Sequence, residues 1–333
     1  MADFYKEVID ELKAEIPVPI SPEGPKFPTN LEDIDQAFEY EYTYSLQEFG
    51  KIAYSIAHYP VVDAHAPLTY IEETDLIKYI EKISKVKKSR IEAFLENMSI
   101  NHELLKNEVI EPWKYKSRPN RLMIKPLLKI TQGSGDYYLF GNWVVDISAR
   151  VWFSQIVNGR LPINIESLKS KQLKDALQNQ RQRVSKQFED EVLETIKRMV
   201  TFAERVTDYA KFFGMKGSLP GPGEIDTLAI DKQLKKVFVF EAKDIVRGLT
   251  PRDVKNEMQS FFKSPDGYVY KLLKKYDFVK RNLGKILYYY NIDEKGWKVE
   301  KAFVTSRVYL SAFSEKANIT FLSLDDLSDF IKK

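Results

Sequence analysis

Two apolar runs in this chain end in charge. In VFVFEAKD, residues 237–244, side chains alternate across the strand that the run predicts. Val237, Val239, Glu241 and Lys243 therefore share one face, and Phe238, Phe240 and Ala242 the other. An interior strand has no reason to set Glu241 and Lys243 side by side unless they are paired, hydrated or functional. EIDTLAID, residues 224–231, repeats the anomaly at Asp226, and a charged turn joins the two runs as an antiparallel hairpin that brings Asp226 towards Glu241. Two carboxylates with the backbone carbonyl of Ala242 between them make an oxygen-only set suited to Mg2+, with Mn2+ as the expected substitute. Lys243 would then stand beside the ion, able to orient a water or offset charge on a phosphate. The competing reading is a structural Glu241–Lys243 ion pair beside an exposed Asp226, but a buried pair of that kind is costly and adds little stability.

These strands need flanking layers, and the surrounding sequence supplies candidates. A region without glycine or proline runs from about Glu166 to Val200 and reads as helix. Its first part, QLKDALQNQRQR, is polar enough for a connector. Its second, FEDEVLETIKRMV, sets Phe188, Val192, Thr195 and Met199 on a stripe fit to pack on a sheet. Arg205 to Phe213 reads as a strand and GSLPGPG as a tight loop. Beyond the charged strand, Thr250 and Pro251 open a helix that runs through Phe262, and Lys271 to Leu287 is helical again. KAFVTSRV and ITFLSL read as strands, and SLDDLSDFIKK closes with a helix. Tyr288, Tyr289 and Tyr290 are spaced as sheet core, with stacking on bases as the alternative. This order implies an α/β domain with a mixed sheet.

GEID, a variable turn and EAK resemble the PD-(D/E)XK nuclease superfamily over roughly residues 185–325. That fold is shared by restriction endonucleases, several repair nucleases and archaeal Holliday-junction resolvases. The resemblance implies a restriction endonuclease-like mixed sheet flanked by helices. It also implies Mg-dependent hydrolysis of phosphodiester bonds in nucleic acid, with DNA favoured over RNA and an endonuclease over an exonuclease. In the family the Asp and Glu bind one or two metal ions and the Lys assists the attacking water. Here these are Asp226, Glu241 and Lys243, with the Ala242 carbonyl as a further ligand. The resemblance also nominates Glu189, in KQFEDEV on the helix before the sheet, and Gln259, in VKNEMQSFF on the helix after it. Glu224, on the strand face of Asp226, is an alternative to Glu189. Ile225 stands where the motif has proline. The rival reading is a catalytically inactive subunit that keeps the nuclease fold to bind nucleic acid or serve as a scaffold.

The formal net charge of +3 conceals an asymmetry. Residues 1–50 hold 3 Lys/Arg against 12 Asp/Glu, whereas residues 232–285 hold 14 against 6. Lys232, Lys235 and Lys236 at the hairpin turn, and Arg247, Arg252 and Lys255 after the charged strand, are the expected nucleic-acid contacts. Such contacts go to the backbone and carry affinity without sequence information. Solvated helix faces are the plainer reading of the same charge.

With 333 residues the chain has room for about two domains. Pro17, Pro19, Pro22, Pro25 and Pro28 mark residues 1–30 as an acidic, proline-rich arm. Residues 31–165 read as a mostly helical amino-terminal domain. Its helices Glu73–Ser84 and Ser89–Met98, followed by RLMIKPLLKI and YYLFGNW, are loosely winged-helix-like. Residues 166–333 read as the nuclease-like α/β domain, with the change of character falling within residues 160–185. The absence of cysteine excludes disulfides, thiolate metal sites and a thiol nucleophile. His65, in VVDAHAP, sits where amidohydrolases carry a metal-binding strand, but the second histidine of that pattern is replaced by Pro67 and the chain has only 3 His. No apolar run approaches the ~18 residues of a membrane span, and the opening MADFYKEVIDELKAE lacks the basic-then-apolar order of a secretory signal. A cytoplasmic protein is the expectation, without membrane partners, and association with a second copy or a partner subunit is left open.

Overall fold

The computed structural model describes residues 21–27, 30–60, 68–101, 122–133, 135–216, 219, 221–244, 251–263, 265–293, 295–306 and 319–333. The chain divides into two compact units, Met1–Gln182 and Arg183–Lys333.

The first unit contains α1 (Glu32–Tyr42), α2 (Leu46–Ala57), β1 (Thr69–Glu72), α3 (Glu73–Ser84), α4 (Lys88–Asn97), β2 (Ser99–Asn101), β3 (Leu127–Gln132), β4 (Gly135–Phe140) and α5 (Asn142–Val157). α1 and α2 are separate helices because Thr43 turns left-handed at φ 74° and Ser45 starts α2 with a reciprocal cap. Ser45 Oγ accepts from Glu48 N–H, and the Glu48 carboxylate accepts from Ser45 N–H at 3.0 Å. Helices predominate, and beside them the strands form a sheet in the order β1-β4-β3-β2, in which only the β2–β3 pair is parallel. Phe38, Phe49, Phe94, Trp152 and Phe153 knit the core. Residues 21–27 of the proline-rich arm pack on this unit. Phe27 meets the Phe153 ring at 5.4 Å, and Gln47 Nε2 donates to the Pro25 carbonyl at 3.1 Å.

Helix α6 (Lys171–Lys197) carries the division between the units, later than residue 166. The reason is that its polar first part is not a bare connector: Leu173 and Leu177, with Leu168 before it, are buried in the first core.

The second unit sets a five-stranded sheet, β5-β6-β7-β8-β9, between two helical layers. Its strands are β5 (Phe202–Val206), β6 (Ile225–Asp231), β7 (Lys236–Lys243), β8 (Lys298–Thr305) and β9 (Thr320–Leu322). The β5–β6 and β6–β7 pairs are antiparallel, and β7–β8 and β8–β9 are parallel. α7 (Pro251–Phe262), α8 (Tyr268–Arg281) and α9 (Leu283–Tyr289) lie between β7 and β8 in the chain, and α10 (Leu327–Lys332) follows β9.

Strands β6 and β7 are buried along nearly their whole length because both faces are covered, which is why they read as apolar runs. The alternation predicted for β7 is present. Val237 and Val239 pack with Phe261, Leu272, Val279, Ile286 and Leu287 on one face. Phe238, Phe240 and Ala242 pack on the other with Phe188, Val192 and Ile196 of α6 and with Leu327 and Ile331 of α10. The α6 stripe therefore steps by four residues, and Met199, expected on it, is exposed. The segment Arg205–Phe213 is not one strand: β5 ends at Val206, and a 3₁₀ turn, Ala210–Phe213, follows. Tyr288 and Tyr289 are not sheet core. They end α9 and are 82% and 45% exposed, because the helical period turns them off the face that buries Ile286 and Leu287. Among the described residues no helix is long and apolar enough to cross a membrane.

Candidate functional site

The β6–β7 hairpin is fixed at its turn by Asp231, whose carboxylate accepts the N–H groups of Gln233 and Leu234, and by Lys235 at φ 51°. Leu228 pairs with Val239 and Thr227 with Phe240, which carries Asp226 to the Glu241–Ala242 end of β7. On its other side β6 is irregular. Glu204 pairs with Leu228 and Val206 with Ile225, so Arg205 alone faces both Asp226 and Thr227. An extra residue of this kind turns the strand locally and re-aims its side chains.

Asp226, Glu241 and Lys243 converge there. Asp226 Oδ2 accepts the Ala242 N–H at 2.9 Å and lies 3.5 Å from Lys243 Nζ. Lys243 Nζ also lies 2.9 Å from Glu241 Oε1 and donates to the Ala242 carbonyl at 2.9 Å. Its ammonium sits 5.4 Å from the Tyr268 ring. Both carboxylates are buried, at 6% for Asp226 and 5% for Glu241. Burial raises the Asp226 pKa from its ordinary value, and the Glu241 charge adds to this against the opposing pull of Lys243 and Lys275. For Lys243, burial opposes the charge, but Glu241 and Asp226 outweigh it and the amine holds its proton more tightly than a free lysine.

Glu189, on α6, is half-buried beside this group. Its carboxyl is pushed up by burial and then by the charge of Asp226, with Lys243 and Arg205 pulling the other way. Arg205 ties it to the sheet: the guanidinium lies 3.3 Å from Glu189, 2.9 Å from Asp190 and 3.2 Å from the more exposed Glu224.

The other nominated residues are not brought together with these. Gln259 is exposed on α7 and makes no hydrogen bond to Asp226, Glu241 or Lys243, because the buried face of that helix is set by Phe261. Lys255 is exposed on the same helix, the side chain of Arg252 is outside the described residues, and Arg247 lies outside them altogether. Lys232, Lys235 and Lys236 sit at the opposite end of the hairpin from Lys243, roughly 20 Å away at the usual rise per strand residue. Lys236 is moreover paired with Glu300 at 2.9 Å, and Lys232 lies over the Phe202 ring. His65 is outside the described residues.

Two residues of the site had not been singled out. Lys275, on α8, is 6% exposed and places its ammonium on Glu241 Oε2. Its signal in the sequence is phase, since it stands three residues after Leu272 and four before Val279 on the buried stripe of its helix. Tyr209, just before the 3₁₀ turn, packs against the GPG loop that leads into β6. Its hydroxyl donates to the Gly223 carbonyl, and a Cβ on Gly221 would stand 2.2 Å from its ring. Gly223 itself adopts φ +96°, a conformation that L side chains rarely take.

The donors available to a metal ion are two carboxylates and one carbonyl, all oxygen. Asp226 Oδ1 makes no hydrogen bond to a described residue. This set fits a hard divalent cation such as Mg2+, which keeps several of its waters. Among the described residues no group of three or more His, Asp or Glu side chains forms a metal site by itself. A cleft of about 1330 Å3 in the first unit, between α3, α4 and β3, contains none of these residues. Its wall mixes Lys125 and Lys129 with Glu73, Glu92 and Glu96, so it offers a polyanion no one-signed surface. Comparison with family models, curated proteins and solved structures found no match.

Proposed function

We propose that this chain is a metal-dependent phosphodiester hydrolase acting on nucleic acid, on DNA in preference to RNA and as an endonuclease. The observation that carries the reading is the junction of Asp226, Glu241 and Lys243 on adjacent buried strands, with Lys243 Nζ 2.9 Å from Glu241 and Asp226 bonded to the Ala242 N–H. The architecture supports it: the resemblance implies a mixed sheet flanked by helices, and the second unit has a sheet with antiparallel and parallel pairs between helices. In this reading Asp226, Glu241 and the Ala242 carbonyl hold Mg2+. The ion, when bound, supplies an activated water and compensates charge growing on the phosphate. Lys243, as an ammonium, donates hydrogen bonds to the attacking water or to a phosphate oxygen and stabilises the negative charge that develops there. The Arg205 ion pair holds Glu189 beside the site as a further acceptor.

One observation favours the second reading, a nuclease-fold subunit that binds nucleic acid without cutting it. Both oxygens of Glu241 already rest on ammonium groups, an arrangement that is satisfied without a metal. Calorimetric titration of the full chain with Mg2+ separates the two. The enzyme binds the ion, and binding is lost in Glu241→Gln; a scaffold gives no binding heat.

A further inference from the structure

Lys275 is a lysine in the wrong place for a surface charge. It lies between Leu272 and Val279 on the buried stripe of α8, and at 6% exposure its ammonium is out of water. A buried ammonium is expensive unless a fixed anion compensates it. The anion is Glu241, which is already bonded through its other oxygen to Lys243 at 2.9 Å. One carboxylate thus carries two lysines, and the formal charges of Asp226, Glu241, Lys243 and Lys275 cancel before any ion arrives.

We propose that Lys275 serves this site as a built-in second cation, fixing Glu241 through Oε2 and restricting the centre to one divalent ion. The inference rests on the metal-site reading above and adds to it the number of ions and the residue that sets it. Oε2 is held by the more deeply buried Lys275, so an ion that takes the place of the Lys243 ammonium would meet Glu241 Oε1, the Ala242 carbonyl and Asp226, enough for a single Mg2+ with its waters. One ion takes the group from neutral to +2, which matches a phosphodiester whose charge grows in the transition state. A second ion would find Oε2 blocked and a positive field. A pair that only held α8 to the sheet would not need the carboxylate that Lys243 also uses. Lys275 is in this account a positioning residue, acting through Glu241.

The test is calorimetric titration of the full-length protein with Mn2+ in the absence of nucleic acid, comparing wild type with Lys275→Met, Lys275→Gln and Lys275→Arg. Each variant is checked for folding by circular dichroism. We expect one ion per wild-type chain and the same for Lys275→Arg, which keeps the charge. In Lys275→Met and Lys275→Gln the first ion binds ~tenfold more tightly or better, as expected when a cation is removed from beside a carboxylate, and a second ion enters. Two ions bound by the wild type, or an unchanged affinity and stoichiometry in folded Lys275→Met or Lys275→Gln, overturn the role of Lys275 and leave the metal site standing. Absence of Mn2+ binding in the wild type and in all variants defeats the metal-site reading itself, and the role of Lys275 with it.

Discussion

The carboxylate of Asp226 accepts the main-chain N–H of Ala242 at 2.9 Å, so one strand's acid is anchored to the backbone between the other strand's Glu241 and Lys243. This bond is formed across two buried strands, where burial and the charge of Glu241 make ionisation of Asp226 unfavourable.

A stability prediction follows from the sign of that shift. A carboxyl whose pKa is higher in the folded than in the unfolded chain binds its proton more readily when folded, so stability falls as pH rises through that interval and the loss persists at neutral pH. Asp226→Asn keeps an acceptor for Ala242 N–H and removes the charge. It should raise Tm at pH 7, with the advantage shrinking towards pH 4, in thermal melts of the apo protein. A lower Tm at pH 7 would show that the ionised carboxylate is a net stabiliser here.

Lys243 separates chemistry from binding. Lys243→Ala should lower turnover by roughly a hundredfold or more, the scale of losing a preorganised donor to developing charge, with Kd for the nucleic acid little changed. An equal loss in Kd and turnover contradicts the role assigned to it.

The placement of the basic residues gives an asymmetric expectation. Lys255 lies on α7, directly after the charged strand in the chain, whereas Lys232 and Lys235 are at the far end of the hairpin. Lys255→Gln should weaken duplex binding evenly across sequences and reduce the salt slope by about one. Lys232→Gln and Lys235→Gln should leave that slope unchanged. Fluorescence anisotropy at several salt concentrations reads both.

The GPG loop is a structural keystone for Tyr209. A methyl group at Gly221 meets the Tyr209 ring at 2.2 Å, so Gly221→Ala should cost about 1–3 kcal/mol, as overpacking does. Urea melts measure it, and an unchanged midpoint means that the loop yields freely.

How much of this was legible in the sequence differs from residue to residue, for physical reasons. The strands β6 and β7 were legible because a strand covered on both faces must be apolar, and period-two alternation then put Glu241 and Lys243 on one side. The irregular pairing opposite Arg205 was not, since register depends on the partner strand and leaves no local pattern. Lys275 was hidden because lysine on a helix normally faces water, and only its phase against Leu272 and Val279 marks it. Gln259 shares the helix that follows the charged strand, but a helix nomination does not fix a face, and here Phe261 occupies the buried side while Gln259 is exposed. Tyr288 and Tyr289 fit a strand or a helix end equally well, because a short aromatic run has no period of its own.

The most direct test of the central claim is to incubate the purified full-length chain with labelled DNA and RNA duplexes, flaps and single strands in Mg2+ or Mn2+, beside EDTA and beside Asp226→Asn and Glu241→Gln. The account predicts internal cleavage of a DNA substrate that requires the divalent ion and is lost in both variants. Cleavage that survives EDTA or either substitution, or no cleavage of any substrate by the wild type, contradicts it.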